Sequence, residues 1–403
     1  MILKDNIELP HKTKSKNYML LFVLACIFAI LAYALTVGIY KHFQKNKIND
    51  FYTQEHQISQ SSSLVNYPIP QIKNIPENKP VRILVLEGGG IHGIISTQLL
   101  NFIEKNSGKP ISDLFDIITG TSIGALQSVV LTVPDKNNRP KYSAEDLLTI
   151  FLYRSPEILG TTSMDWILTG FGLISPIINI YSYTDVLKQY IGNTQLSQLT
   201  TNVLLTGYNI PQRQIMFLKS RRTKNDNPPN FLAYQVTAGV TAIPGLMPPQ
   251  KITSISGNKE QYLIADPARI INNPLLAAYL YADNLYPKNE KILVFLGMGL
   301  DEKSRKKDIP DYYEGLLGGI TQYYDMGWSN DKLFKYYFTE LGSFNSPGVP
   351  NTDLYFIDEV LEEHIGNSMD ITKENLWALQ AAGNSIIKKQ RKQLMTLIGK
   401  LKR

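Results

Sequence analysis

The pattern of apolar and polar positions changes twice along the chain. Tyr18 to Tyr40, YMLLFVLACIFAILAYALTVGIY, carries no charged residue over 23 positions, and a helix of that length reaches about 34 Å against a hydrocarbon core of about 30 Å. It predicts a membrane span. Lys12, Lys14 and Lys16 flank one end and Lys41, Lys45 and Lys47 the other, with tyrosines at both edges. These flanks nearly balance, with Lys4 tipping the N-terminus slightly towards the cytoplasm, and so leave the side of the membrane undetermined. A cleaved signal peptide is the rival reading, with Met19 to Leu31 as apolar core and Ala32-Tyr33-Ala34 as cleavage frame. The apolar run continues through Leu35 to Ile39, which favours an uncleaved anchor. Val23-Leu24-Ala25-Cys26 resembles a lipoprotein cleavage site only faintly, because apolar residues follow the cysteine.

Residues 41–80 turn polar, with Ser61 to Ser63 and Pro68, Pro70, Pro76 and Pro80, and predict an extended, partly stiff linker. From Val81 to the last residue, strand-length apolar runs alternate with helical spacing, as in an α/β domain with a largely parallel sheet. Strands are predicted near Arg82–Glu87, Asp116–Gly120, Val203–Tyr208, Gln214–Leu218, Tyr262–Asp266 and Lys291–Leu296, with helices on both faces. The expected organisation is a basic segment (1–17), an anchor (18–40), a linker (41–80) and one catalytic domain (81–403).

Two turns in this domain carry chemistry. Gly120-Thr121-Ser122-Ile123-Gly124 lies between a strand and an apolar helix. Glycines on either side of a serine allow a sharp turn that leaves the hydroxyl projecting. Ser122 is the candidate nucleophile, with Gly120 and Gly124 as the elbow glycines. Upstream, Glu87-Gly88-Gly89-Gly90-Ile91-His92-Gly93 follows the first strand and precedes a helix, so its backbone N–H groups can hold a phosphate or a tetrahedral oxyanion. A dinucleotide fold would place an acidic strand end about 20 positions on. Here the next strand ends in the serine turn, which argues for acyl transfer.

Composition narrows the partners. A chain of 403 residues with 43% hydrophobic and 19% charged residues has the make-up of a globular protein with a sizeable core. One cysteine, Cys26, excludes an internal disulfide framework. The net charge of +6 is local: Lys388, Lys389, Arg391, Lys392, Lys400, Lys402 and Arg403 close the chain with no acid among them. Without aromatic interleaving or a nucleic-acid motif, this tail suits an anionic membrane surface or a solvated helix end, and no nucleic-acid partner is expected.

These motifs resemble the patatin-like phospholipase family, which includes calcium-independent phospholipases A. In that family a D-G-G-G-x-R/K-G loop forms the oxyanion hole, G-x-S-x-G carries the nucleophile and D-G-G/A carries the aspartate of a Ser–Asp dyad. Further similar segments follow in family order: Asn202 to Ser220, Thr237 to Pro249, Leu263 to Pro274, Lys291 to Gly299 and Asp370 to Leu379. The resemblance implies a three-layer patatin-like fold, with Ser122 and Asp266 catalytic and Gly88, Gly89 and Gly90 as the oxyanion hole. His92 and Gly93 would support that loop. Glu87 stands where the family has aspartate, His92 where it has arginine or lysine, and Pro267-Ala268 where it has Gly-Gly or Gly-Ala.

Of the five histidines, His11, His42 and His56 lie beside the anchor or in the linker. His364 would complete a Ser122–Asp266–His364 triad and is the alternative mechanism. The expected function is a membrane-anchored serine hydrolase acting on phospholipid or another acyl lipid, with no cofactor and no metal, since neither a calcium loop nor a His/Cys cluster is present. A non-catalytic lipid- or nucleotide-binding membrane protein is the reading from other classes. Trp166, Ile167, Leu168, Phe171, Leu173 and Ile174 form an apolar patch that would serve as lid, acyl-chain wall or core.

Overall fold

Val81–Leu86 is buried along almost its whole length, with Ile83, Val85 and Val81 facing one way and Leu84 and Leu86 the other. A strand apolar on both sides belongs inside a parallel sheet covered on both faces. The computed structural model places it there. The structure describes residues 13–61, 64–161, 167–169, 176–256, 259–299, 352–359, 361, 365–366 and 369–402. In chain order the elements are α1 (Thr13–Gln60), β1 (Val81–Leu86), α2 (Gly93–Ser107), the one-turn α3 (Ile111–Leu114), β2 (Ile117–Gly120), α4 (Ile123–Val130), α5 (Ala144–Leu159) and α6 (Ile180–Ile191). Then follow β3 (Asn202–Asn209), β4 (Gln214–Lys219), α7 (Ala233–Val240), β5 (Gln250–Thr253), β6 (Gln261–Ala265), α8 (Leu275–Leu285), β7 (Lys291–Leu296), β8 (Thr352–Ile357), α9 (Lys373–Lys389) and α10 (Arg391–Leu401).

The strands form one sheet in the order β5-β6-β3-β2-β1-β7-β8, with β4 also paired to β3. β3, β2, β1, β7 and β8 run parallel, while β4, β6 and β5 add an antiparallel wing. All six predicted strands are present with ends within one residue of expectation. β5 and β8 were not anticipated; both are short edge strands with partly exposed positions, so their apolar pattern is weak. Leu84, Leu86, Ile118, Val203, Val294 and Leu296 pack under α2, α4, α9 and α10 on one face, and α8 covers Ile83, Val85, Leu293 and Phe295 on the other. The result is helix, sheet and helix in three layers.

The chain separates into two compact units, one of residues 1–50 with 161–177 and a second of 51–160 with 178–403. The first holds a helix long and apolar enough to cross a bilayer. Its side chains, Phe22, Phe28 and Ile30 among them, are exposed. The second unit holds the sheet.

The segment from Lys41, expected as an extended linker, is helical as far as Gln60. No proline or glycine occurs between Lys41 and Tyr67, so nothing interrupts the helix until the serines. In the sheet-bearing unit, Phe51 is buried and meets Tyr181 edge-on at 5.0 Å. The proline-containing stretch is attached as well. Arg222 N–H donates to the Pro70 carbonyl at 2.9 Å, Ile72 N–H donates to the Arg222 carbonyl at 3.0 Å, and the Tyr286 hydroxyl donates to the Lys73 carbonyl at 2.6 Å.

Candidate active site

Register brings the two key residues to one level. Gly120 of β2 pairs with Leu205 of β3, so two residues on, Ser122 stands level with Gly207. Ala265 of β6 pairs antiparallel with Tyr208, so Asp266 also stands level with Gly207. Both leave the sheet at the carboxyl end of its parallel strands, where open α/β sheets place their sites. The Ser122 hydroxyl donates to Asp266 Oδ2 at 2.5 Å, and both residues are buried, at 4% and 5% exposure.

The turn that aims Ser122 is strained. Its φ of 53° and ψ of −123° lie in a region that side-chain-bearing residues rarely occupy. The flanking glycines allow it for a steric reason: a Cβ on Gly124 would run into the carbonyl oxygens of Leu86 and Glu87, and one on Gly120 into the backbone of Gly124. The elbow is therefore packed backbone to backbone against the end of β1. Ser122 is the N-cap residue of α4; its hydroxyl makes no capping bond to the helix, and its carbonyl accepts the Ala125 N–H at 2.9 Å.

Asp266 is held from three sides. Its N–H donates to the Ala242 carbonyl at 3.0 Å, and Oδ1 accepts the Ala268 N–H at 2.8 Å. Pro267 takes nothing from this arrangement, because the donor to the carboxylate is Ala268; the Pro267 carbonyl meanwhile closes a turn by accepting from Ile270 and Ile271 at 2.7 and 2.9 Å. Burial pushes the Asp266 carboxyl from its ordinary 3.8 up to about 6, against the opposing pull of the Ser122 hydroxyl, the Ala268 N–H and Arg269.

The glycine loop is braced from below. Glu87, at 1% exposure, accepts from Asn272 Nδ2 at 3.1 Å and from Met298 N–H at 3.2 Å. The Gly88 N–H donates to the Asn272 carbonyl at 3.2 Å, so it is committed and differs from the expectation that all three glycines face the reaction. Among the described residues no acceptor is assigned to the N–H of Gly89 or Gly90. Gly90 lines a cavity with Ser122.

His92 differs from the basic residue that the resemblance implies. It is buried, its ring is pushed below the ordinary histidine value by that burial, and Nε2 meets the Gly366 carbonyl at 2.8 Å. It is neutral at pH 7 and ties the loop to the segment before α9, where Gly366 N–H donates to Asn375 Oδ1 at 2.8 Å. The carbonyl of Gly93 accepts from Gln127 Nε2 at 2.9 Å, joining α2 to α4. His364, Trp166, Phe171, Leu173 and Ile174 lie outside the described residues.

The cavity beside Ser122 has a volume of about 50 Å³ and is bounded by Ile91, Leu126, Phe151, Leu159, Met247 and Met369 with the hydroxyl residues Tyr183 and Thr241. Thr241 Oγ1 donates to the Thr237 carbonyl at 2.7 Å and sits 2.5 Å from the Tyr183 hydroxyl. These polar atoms are satisfied within the protein, so the wall is apolar to a ligand. Sequence reasoning gave neither Tyr183 nor Thr241 a role: Tyr183 belongs to no motif, and Thr241 lies within the family-like segment Thr237 to Pro249 without being singled out. The apolar positions Phe151 and Leu159 along α5 were a signal for that wall, and they also fit ordinary core.

A mixed, mostly parallel α/β sheet with a serine at its strand-to-helix elbow, a buried carboxylate against it and a glycine loop alongside defines the class of protein. Residues 84–279 match the family model Patatin, described as patatin-like phospholipase. The chain is 26% identical to Patatin-like protein 1 of Arabidopsis thaliana over 353 residues, which cover 79% of this chain and 84% of that one. It is 28% identical to Patatin-like protein 2 of Oryza sativa subsp. indica over 213 residues, 50% of this chain and 52% of that one. It is 30% identical over 192 residues to a protein of Solanum tuberosum named Probable inactive patatin-3-Kuras 1, covering 45% and 49%. The chain thus spans about half the length of the latter two relatives. Residues 84–279 thus form a patatin-like phospholipase domain, of a family of lipid acyl hydrolases.

Proposed function

We propose that the protein is a membrane-anchored lipid acyl hydrolase of phospholipase A or lysophospholipase type that works through a Ser122–Asp266 dyad. The observation that carries this reading is the hydrogen bond of 2.5 Å from the elbow serine to a buried carboxylate beside an apolar cavity. Asp266 accepts the proton of Ser122 as Oγ attacks the ester carbonyl carbon. The negative charge that develops on the carbonyl oxygen is received by the free N–H groups of Gly89 and Gly90, with Gly88 holding the loop in shape. Donors of this kind are each worth about 3 kcal/mol of barrier. Asp266 then passes its proton to the departing alcohol, and water repeats the sequence on the acyl-serine. The acyl chain occupies the apolar cavity, and the span at Tyr18 to Tyr40 keeps the site near its lipid.

The test is labelling of the full-length protein with a fluorophosphonate probe. Wild type is expected to label and Ser122→Ala to stay unlabelled. A folded wild type that fails to label would overturn the reading. A pH profile gives a second check. Only the ionised Asp266 can accept a proton, so hydrolysis of a soluble ester should fall about tenfold per pH unit below about 6. A rate that stays flat down to pH 5 would exclude Asp266 as the base.

A further inference from the structure

Glu55 lies on α1, outside every motif and outside the family-like stretch, yet it is buried at 4% exposure. Its Oε2 accepts from the Tyr234 hydroxyl at 2.6 Å and from the Gln235 side-chain amide at 2.8 Å, and Oε1 pairs with Lys188 Nζ at 2.6 Å. The Gln235 amide also donates to the Glu55 carbonyl at 3.1 Å, and Ser59 Oγ donates to Gln235 Oε1 at 2.9 Å. Burial, with the Glu55 carboxylate beside it, pushes the Tyr234 hydroxyl above its ordinary value, so it remains a donor. A carboxylate is kept out of water only where partners such as these replace its hydration.

Those partners lead to the site. Tyr234 and Gln235 form the first turn of α7, and Lys188 lies on α6. Just past the far end of α7, Thr241 Oγ1 spends its proton on the Thr237 carbonyl, which leaves its lone pair for the Tyr183 hydroxyl of α6. The next residue, Ala242, accepts the Asp266 N–H at 3.0 Å. One side chain of α1 therefore pins the two helices that wall the cavity and hold Asp266.

We propose that Glu55 is a positioning residue for the hydrolysis assigned above: by fixing α6 and α7 it holds Asp266 and the cavity wall against Ser122. The proposal rests on that reading of the reaction. It makes Phe51 to Gln60 a working part of the active domain. Proton transfer between Ser122 and Asp266 depends steeply on their separation, so small movements of α7 act on kcat more than on KM.

The experiment uses the full chain with Glu55→Ala, Glu55→Gln and Tyr234→Phe. It measures kcat and KM on a soluble nitrophenyl ester and amide hydrogen exchange across residues 233–242 and 261–268. Glu55→Ala is expected to lower kcat by about tenfold or more with KM within about twofold, and to speed exchange in both segments. Glu55→Gln keeps an acceptor for the Tyr234 hydroxyl and should recover most of the rate. Tyr234→Phe, which removes one bond only, should lower kcat by about threefold and keeps the test open where the alanine variant does not fold. Wild-type kcat in the folded variants, or faster exchange confined to residues 51–60, would overturn the proposal. A wild type that hydrolyses nothing counts against the reaction alone, and the exchange at residues 261–268 then decides: faster exchange supports the coupling and unchanged exchange overturns it.

Discussion

Full-length protein carrying Ser122→Ala is expected to lose ester hydrolysis by about 10⁴-fold or more while keeping its fold. Alanine retains the Cβ and therefore the strain of a positive φ, so the elbow is neither relieved nor disturbed. What disappears is the hydroxyl that donates to Asp266 Oδ2. A hydrogen bond to a charged group contributes about 1.5 to 3 kcal/mol, so a stability loss of about that size at pH 7 is expected, read as a lower Tm. Ser122→Gly should be equally inactive but more stable than the alanine variant by roughly 1 kcal/mol, because glycine adopts this φ without a Cβ clash. Hydrolysis that survives either change would place the nucleophile elsewhere. Equal stability of the two variants would mean that the elbow is not strained.

The strands and both turns were legible because each rests on a local rule. VRILVL and KILVFL are apolar runs, and GTSIG has glycines where a Cβ would strike backbone, that of Gly124 the end of β1 and that of Gly120 the start of α4. Ser122 could be named from its Gly-flanked turn and Asp266 from the resemblance of its segment to the dyad strand; that they meet depends on the pairing of β3 with both β2 and β6, which no local pattern encodes. The use of the glycine loop was also hidden, since the partner of the Gly88 N–H is the carbonyl of Asn272, distant in sequence. His92 was readable as a lost charge, but its burial against the Gly366 carbonyl was not. The largest difference is α1. Its polar composition after Lys41 looked like a linker because charged and amide side chains dominate, yet Phe51, Glu55 and Ser59 fall at spacings of four on one helical face and face the domain. A buried glutamate gives no hydrophobic signal, so composition alone read an integral helix as a spacer.

Asp266→Asn should pull activity and stability in opposite directions. The variant has no proton acceptor, and its hydrolysis is expected to fall by about 10³-fold or more. Its stability follows from the titration of the carboxyl. In the folded protein burial raises Asp266 from 3.8 to about 6, so the native state holds this proton more tightly than the unfolded chain does. The native state is thus favoured with Asp266 protonated, below about pH 4, and that advantage is lost as pH rises from about 4 to about 6. Above about 6 the ionised carboxylate withholds on the order of 3 kcal/mol, from a rise of about two pH units at about 1.4 kcal/mol each. Asparagine resembles the protonated form: its carbonyl can still accept the Ala268 N–H, and its amide can donate to Ser122 Oγ. The variant should therefore exceed wild type in Tm at pH 7 to 8, and the gap should close as pH falls towards 4. Thermal denaturation at several pH values measures this directly. A variant less stable than wild type at pH 7, or a difference that does not change with pH, would show that the carboxylate is not destabilised by its burial. In that case the strength of Asp266 as a base would need another origin.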